Sequence, residues 1–315
     1  MKNIAFIFPG QGSQYIGMAR DLIEEFSSVK EMFENASDIL KVDLANVCFT
    51  GPEEKLKQTI YTQPAIFVHS CALQMILREN YVIGMAAAGH SLGEYTALVA
   101  SGALIFETAL DAIARRSTAM QADCDKASGA MAAIIGLKYD DVAEIIMDVN
   151  GVVVPANNNS PDQVVISGEK TAVESACVKL KEIGAKRAVP LVVAGAYHSP
   201  LMADSAEIMR EYIIQMNFGA FDFPVYANVT AEPVSDGAAF KDLLSRQLIS
   251  PVLWYPSVIN MYRDGTRHFV EIGPGKVLQG LVKRSLDDAD VDILGVDTLD
   301  DLDAFMNQYA SAKAE

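Results

Sequence analysis

The sequence predicts an α/β fold in which a mostly parallel sheet, covered by helices on both faces, carries a small inserted unit. Short apolar runs alternate with helical patterns along most of the chain. One of these runs turns straight into a helix through Gly89-His90-Ser91-Leu92-Gly93. Between 129 and 193 the alternation gives way to the order βαββαβ, the pattern of a ferredoxin-like unit.

The first run, 3–8, ends at Pro9-Gly10-Gln11-Gly12-Ser13 and reads as a buried strand entering a glycine-rich turn. Helical patterns follow over 15–25 and 28–40. Thr62 is a good N-cap with Pro64 in the first turn, so a helix is expected over 62–80. The small apolar segment 82–90 is a strand that passes into a helix at 94–101, and another helix is expected over 106–124. In the inserted unit we expect strand 130–137, helix 139–149 and strand 152–156, then a loop at 157–162, strand 163–167, helix 170–183 and strand 186–193. Alternation resumes with helix 200–216, strand 223–229, helices 238–248 and 254–262, and strand 267–272. A helix follows Gly273-Pro274-Gly275, and strand 291–296 and helix 299–309 close the chain. The expected division is 1–126 with 197–315 as the core and 127–196 as the insert. No internal repeat or low-complexity tract interrupts this order.

Composition narrows the function. The 315 residues carry 25 basic and 41 acidic side chains, a net charge of −16, which excludes non-specific nucleic-acid binding. With 50% apolar and 21% charged residues the chain is globular rather than disordered. Residues 59–77 lack charged side chains, but Thr62, Gln63, Pro64 and His69 interrupt them, so a buried helix is expected and no membrane span. The run 4–8 is too short for a signal-peptide core, and a cytoplasmic location is expected. Cys48, Cys71, Cys124 and Cys177 lie far apart, without the close pairs of a zinc or dithiol site. Four buried free thiols and no metal are expected.

Gly89-His90-Ser91-Leu92-Gly93 matches G-x-S-x-G in the strand–turn–helix context that the chemistry requires. Glycines relieve crowding at the turn, so the Ser91 hydroxyl projects above the sheet, and the Leu92 N–H at the helix N-terminus can bind a developing oxyanion. The serine needs a base, and the histidines are His69, His90, His198 and His268. His69 falls within a helix and His268 at a strand start, and His90 on an extended strand end should point away from Ser91. His198, in a turn between a strand and a helix, is the expected base. No acid suggests itself to orient it: Asp111, Asp123, Asp125, Asp140, Asp141, Asp148 and Asp162 fall mostly on helices or in the insert. A dyad whose histidine is held by a main-chain carbonyl is therefore expected. Of the neighbours Arg115 and Arg116, about 100° apart on a helix flanked by apolar positions, only one can face inward, where it would bind a substrate carboxylate.

These residues resemble the malonyl-CoA:acyl-carrier-protein transacylases of fatty-acid synthesis, kin to polyketide synthase acyltransferase domains. The likeness runs through Phe8-Pro9-Gly10-Gln11-Gly12-Ser13-Gln14, Gly89 to Glu94, Arg116 with Met120-Gln121, Gly129-Ala130-Met131-Ala132 and Asn158-Asn159-Ser160-Pro161. It continues in Gly195-Ala196-Tyr197-His198-Ser199, Arg246-Gln247-Leu248 and Glu271-Ile272-Gly273-Pro274-Gly275. The resemblance implies an α/β-hydrolase-like core with a ferredoxin-like insert. It implies Ser91 as nucleophile, His198 as base, the Gln11 and Leu92 amides as oxyanion hole, Arg116 as the carboxylate clamp, and a main-chain carbonyl near Gln247 orienting the histidine. It implies malonyl-CoA and an acyl carrier protein as partners, with CoA and phosphopantetheine as parts of substrates and no cofactor. Tyr197 departs from the phenylalanine of many malonyl-selective members. The other readings are a free-standing polyketide acyltransferase, a serine thioesterase or esterase, and a silent carrier-binding module. Because carriers are acidic, a basic patch is expected among Lys186, Arg187, Lys276, Lys283 and Arg284.

Overall fold

The computed structural model describes residues 3–126, 128–287 and 290–314. The expected segment ends at 1, 127 and 315 fall outside the described residues. The elements begin with β1 (Ile4–Phe8), α1 (Arg20–Glu25), α2 (Ser27–Leu40), α3 (Leu44–Thr50), α4 (Glu53–Leu56) and α5 (Thr59–Glu79). Next come β2 (Ala86–Gly89), α6 (Gly93–Ala100) and α7 (Phe106–Lys126). A second run follows: β3 (Gly129–Ile135), α8 (Tyr139–Ile146), β4 (Val153–Ser160), β5 (Gln163–Glu169), α9 (Lys170–Glu182) and β6 (Arg187–Pro190). After a 3₁₀ turn (Pro200–Met202) come α10 (Ala203–Gln215), β7 (Val225–Tyr226), β8 (Pro233–Val234), α11 (Gly237–Gln247) and α12 (Trp254–Arg263). The chain closes with β9 (His268–Ile272), α13 (Val277–Ser285), β10 (Asp292–Val296) and α14 (Leu299–Ala314).

The strands form two sheets. In the larger, ordered β10-β9-β1-β2-β7-β8, every pairing is parallel except that of β7 with β8. Strand β1 lies in its middle and is buried along its whole length, because alternate side chains enter different cores. Ile4, Phe6 and Phe8 join the main core with α5 and α7, whereas Ala5 and Ile7 pack with Trp254, Val258, Leu278 and Leu281 of α12 and α13. The second sheet, ordered β4-β5-β3-β6, is antiparallel throughout. One face, with Ala132, Ile134, Val164 and Ile166, is covered by α8 and α9; the other sends Met131, Ala133 and Val165 into the main core. That second contact brings the small sheet over the serine turn.

Several local expectations need correction. The helix expected from Thr62 begins three residues earlier: Tyr61 and Thr62 donate to the Gln58 carbonyl, at 2.9 and 2.8 Å, and Pro64 lies inside the helix. Residues 16–19 form a turn before the helix starts at Arg20, because Gly17 and Ala19 have φ of 99° and 64° and cannot continue a right-handed helix. The expected loop 157–162 is a strand as far as Ser160, pairing with β5 across two irregularities in register. Strands β6 and β7 are shorter than expected, with residues after Tyr226 closing a turn in which Ala231 N–H donates to Ala227 at 2.7 Å. Helices α3 and α4 and strand β8 were not foreseen. Cys48 and Cys71 are buried, but Cys124 and Cys177 are only half-buried, so not all four thiols lie in the core. Among the described residues, no helix is long and apolar enough to cross a membrane.

Candidate active site

Strand β2 delivers Ser91 to the head of α6 through a turn in which Ser91 itself has φ of 52°. That left-handed geometry is costly for a residue with a side chain and is kept only where its surroundings hold it. Glycine at 89 is demanded by space, since a Cβ there would overlap the backbone of Gly93. Asn228, in the turn after β7, clasps the elbow from behind. Its Oδ1 accepts from Ser91 N–H at 2.8 Å, and its Nδ2 donates to the Gly89 carbonyl at 2.6 Å.

Ser91 Oγ lies 2.8 Å from His198 Nε2. The other ring nitrogen, Nδ1, faces the carbonyls of Gln247 and Ser250 at 3.0 and 3.2 Å. Two carbonyls can only accept, so Nδ1 carries the proton and Nε2 is the acceptor for the serine hydroxyl. The structure thus brings together the two side chains expected to form the dyad, with His198 held by main-chain carbonyls and not by an acid. His198 also has a positive φ, 57°, and burial together with the Arg116 charge pushes its imidazole down to about 3.

Of the two arginines, Arg116 faces inward and is fully buried, while Arg115 is exposed and pairs with Asp111 at 3.0 Å. Arg116 Nη2 donates to Ser91 Oγ at 2.8 Å and to Gln247 Oε1 at 3.0 Å, and Nη1 donates to Gln63 Oε1 at 2.8 Å. Its Nε is buried without a hydrogen-bond partner. A cavity of about 220 Å³ opens above the serine, lined among others by Gln11, Leu92, Met120, Met131, Tyr197, Val277 and Leu281. The loop carrying Gln11 abuts the elbow so closely that a Cβ at Gly10 would overlap the His90 carbonyl oxygen. Tyr197 spends its hydroxyl on Thr59 Oγ1, 2.8 Å away.

The remaining histidines have partners elsewhere. His69 Nε2 sits 2.8 Å from the Asp297 carbonyl, and His268 Nδ1 pairs with Asp292 at 2.8 Å. His90 turns to Asn159 Oδ1, at 2.9 Å, and its ring packs 5.8 Å from Trp254. Replacing His90 by alanine should therefore cost about 1–3 kcal/mol of stability, by leaving Asn159 unpaired, while Ser91 still takes up an acyl group. Denaturant unfolding and mass analysis of the loaded chain check the two halves separately. Sequence reasoning missed Gln63, Asn228 and the work of Glu94. Glu94 left a signal, a carboxylate in the first turn of a mostly apolar helix.

Residues 5–312 match the acyl transferase domain. The chain belongs to this family. It is 41% identical, over 90% of each chain, to the malonyl CoA-acyl carrier protein transacylase of Bacillus subtilis. An acyl carrier protein S-malonyltransferase from Vibrio cholerae superposes with a TM-score of 0.92 at 41% identity, covering 96% of this chain and all of that one. A malonyl-transacylase solved in complex with its type II PKS acyl-carrier protein gives 0.93 at 38% identity, covering 98% of this chain. The sequence resemblance thus named the right family, and family membership spans both sheets and every residue of the serine site.

Proposed function

We propose that this chain transfers a malonyl group from malonyl-CoA to the phosphopantetheine thiol of an acyl carrier protein, as in fatty-acid synthesis, through an ester on Ser91. The observation that carries the reading is the full burial of Arg116 with its guanidinium on the Ser91 hydroxyl. A hydrolase of neutral esters has no use for a buried cation there, whereas a malonyl donor brings a carboxylate to it. His198 takes the serine proton, Ser91 Oγ attacks the thioester carbonyl, and the CoA thiol leaves with the proton returned by His198. The carrier thiol then reverses the sequence. The Gln11 and Leu92 amides receive the oxyanion of each tetrahedral intermediate, a donor of this kind being worth about 10²–10³ in rate. In this reading the larger sheet is an α/β-hydrolase-like core and the βαββαβ unit a ferredoxin-like insert, with 1–126 and 197–315 on one side and 127–196 on the other. CoA and phosphopantetheine enter as parts of substrates, no metal or other cofactor takes part, and the setting is cytoplasmic.

Transfer to a purified carrier, against release of free malonate, tests the reading: loaded carrier supports it, and free acid as the main product makes the chain a thioesterase. A depressed imidazole also predicts the pH profile. Because His198 titrates near 3 and not at the ordinary 6.5, its Nε2 stays unprotonated well below neutrality. Single-turnover loading of Ser91 should hold its rate down to about pH 5; a fall centred on the ordinary histidine value of about 6.5 contradicts this.

The five candidate docking cations, Lys186, Arg187, Lys276, Lys283 and Arg284, are all exposed. Lys276 precedes the cavity residue Val277, and Arg284 reaches Gln163 of β5 at 3.0 Å, so α13 links the cavity wall to the small sheet. Reversing Lys283 and Arg284 to glutamate should raise the KM for carrier and leave that for malonyl-CoA unchanged. Steady-state kinetics with each substrate varied in turn decide it; equal effects refute the patch.

A further inference from the structure

Glu94 is buried in the first turn of α6, three residues after Ser91, and its carboxylate bonds neither to the dyad side chains nor to a residue of the cavity lining. Its two oxygens meet only N–H donors. Oε1 accepts from Asn228 N–H at 2.6 Å, and Oε2 accepts from Gln247 Nε2. A carboxylate suits such a site because it is acceptor-only, whereas an amide in its place would turn an NH₂ against one of the two donors.

The constraint passes on through Gln247. Its NH₂ gives one hydrogen to Glu94 and the other to the Ser91 carbonyl, at 2.9 Å. With both donors spent, Gln247 Oε1 has a single orientation, and there it accepts from Arg116 Nη2 at 3.0 Å. Among the described residues no carboxylate lies within 4.0 Å of the Arg116 guanidinium, so Glu94 faces the buried cation across an amide without pairing with it. A direct ion pair would satisfy the cation and deny it to a substrate carboxylate; a neutral amide between them orients it and leaves it unneutralised.

We infer that Glu94 is a positioning residue for acyl-group selectivity: through Gln247 it holds the Arg116 guanidinium aligned and free of an ion pair, ready for the carboxylate of the acyl donor. The inference rests on the malonyl-transfer reading, and its test separates the two. Single-turnover loading of Ser91 is measured by mass with malonyl-CoA and with acetyl-CoA in wild type, Glu94→Gln and Glu94→Asp. Wild type should load malonyl in preference; failure to load it overturns the functional reading. In Glu94→Gln the malonyl-over-acetyl preference should fall at least about tenfold, since the Gln247 amide is no longer held in one orientation. Glu94→Asp, which keeps the charge one methylene further back, should fall between. A merely structural role would lower loading of both donors in proportion, and an unchanged preference in Glu94→Gln overturns the inference. If Glu94→Gln does not fold, Glu94→Asp is read alone against wild type: a lowered preference supports the inference and an unaltered one overturns it.

Discussion

Alanine at Ser91 should abolish acyl-enzyme formation, and alanine at His198 should slow it by several decades. The serine hydroxyl is a weak nucleophile unless its proton has somewhere to go, and the acceptor within reach is Nε2 of His198, 2.8 Å away. In enzymes built on a comparable serine–histidine pair, losing either member costs about 10⁴–10⁶ in rate. Nδ1–H donates to the carbonyls of Gln247 and Ser250 and not to an acid, and these acceptors cannot be removed by changing a side chain. Rapid-quench loading with malonyl-CoA measures both variants. Retained loading in either would sink the assignment, and unchanged unfolding midpoints would show that chemistry, not the fold, was lost.

Replacing Arg116 by alanine should erase most of the preference for malonyl over acetyl. Each hydrogen bond from a guanidinium to a carboxylate is worth about 1.5–3 kcal/mol, so a two-bond clamp accounts for a preference of roughly 10²–10⁴. Acetyl, having no carboxylate, leaves the cation unanswered in a dry site. The substitution also strands Gln63 Oε1 and Gln247 Oε1, so stability and absolute rates should fall. The ratio between the two donors is the informative quantity, because losses common to both cancel in it. Lysine should restore only part of the ratio, since an ammonium cannot present the planar fork. Discrimination against methylmalonyl should be weaker. The Tyr197 ring lines the cavity with its hydroxyl tied to Thr59, so it acts as a bulky apolar wall, and one methyl against such a wall is worth about 1–3 kcal/mol.

How much of this site the sequence discloses depends on how local each constraint is. The elbow is legible because an apolar run, two glycines and a helix start are contiguous, and the crowding they relieve lies between residues four apart. Arg116 is legible as one of a pair because its helix neighbours are apolar. The carbonyl hold on His198 could be inferred only by failing to find an acid, since a main-chain acceptor leaves no trace in residue type. Asn228 was not legible: it meets the site from 137 residues beyond Ser91, and nothing local marks it as buried; Gln63 was placed on a buried helix, but its partner Arg116 lies 53 residues further on. The strand through Asn157-Asn158-Asn159 was misread for a related reason. Asparagine is a poor strand former in isolation, and it is the antiparallel pairing to β5 that keeps this segment extended. Likewise the start of α5 is set by the Gln58 carbonyl and not by the hydroxyl of Thr62, which instead donates to the Leu56 carbonyl at the end of α4.

The central claim is that Ser91 carries the malonyl group between two thiols. It is tested most directly by incubating the chain with malonyl-CoA alone, digesting it and locating the added mass. A malonyl group on the peptide that contains Ser91, discharged when a carrier with its phosphopantetheine arm is added, is the predicted result. A chain that passes malonyl to the carrier while Ser91 is never modified, or that holds the group on another residue, would contradict it.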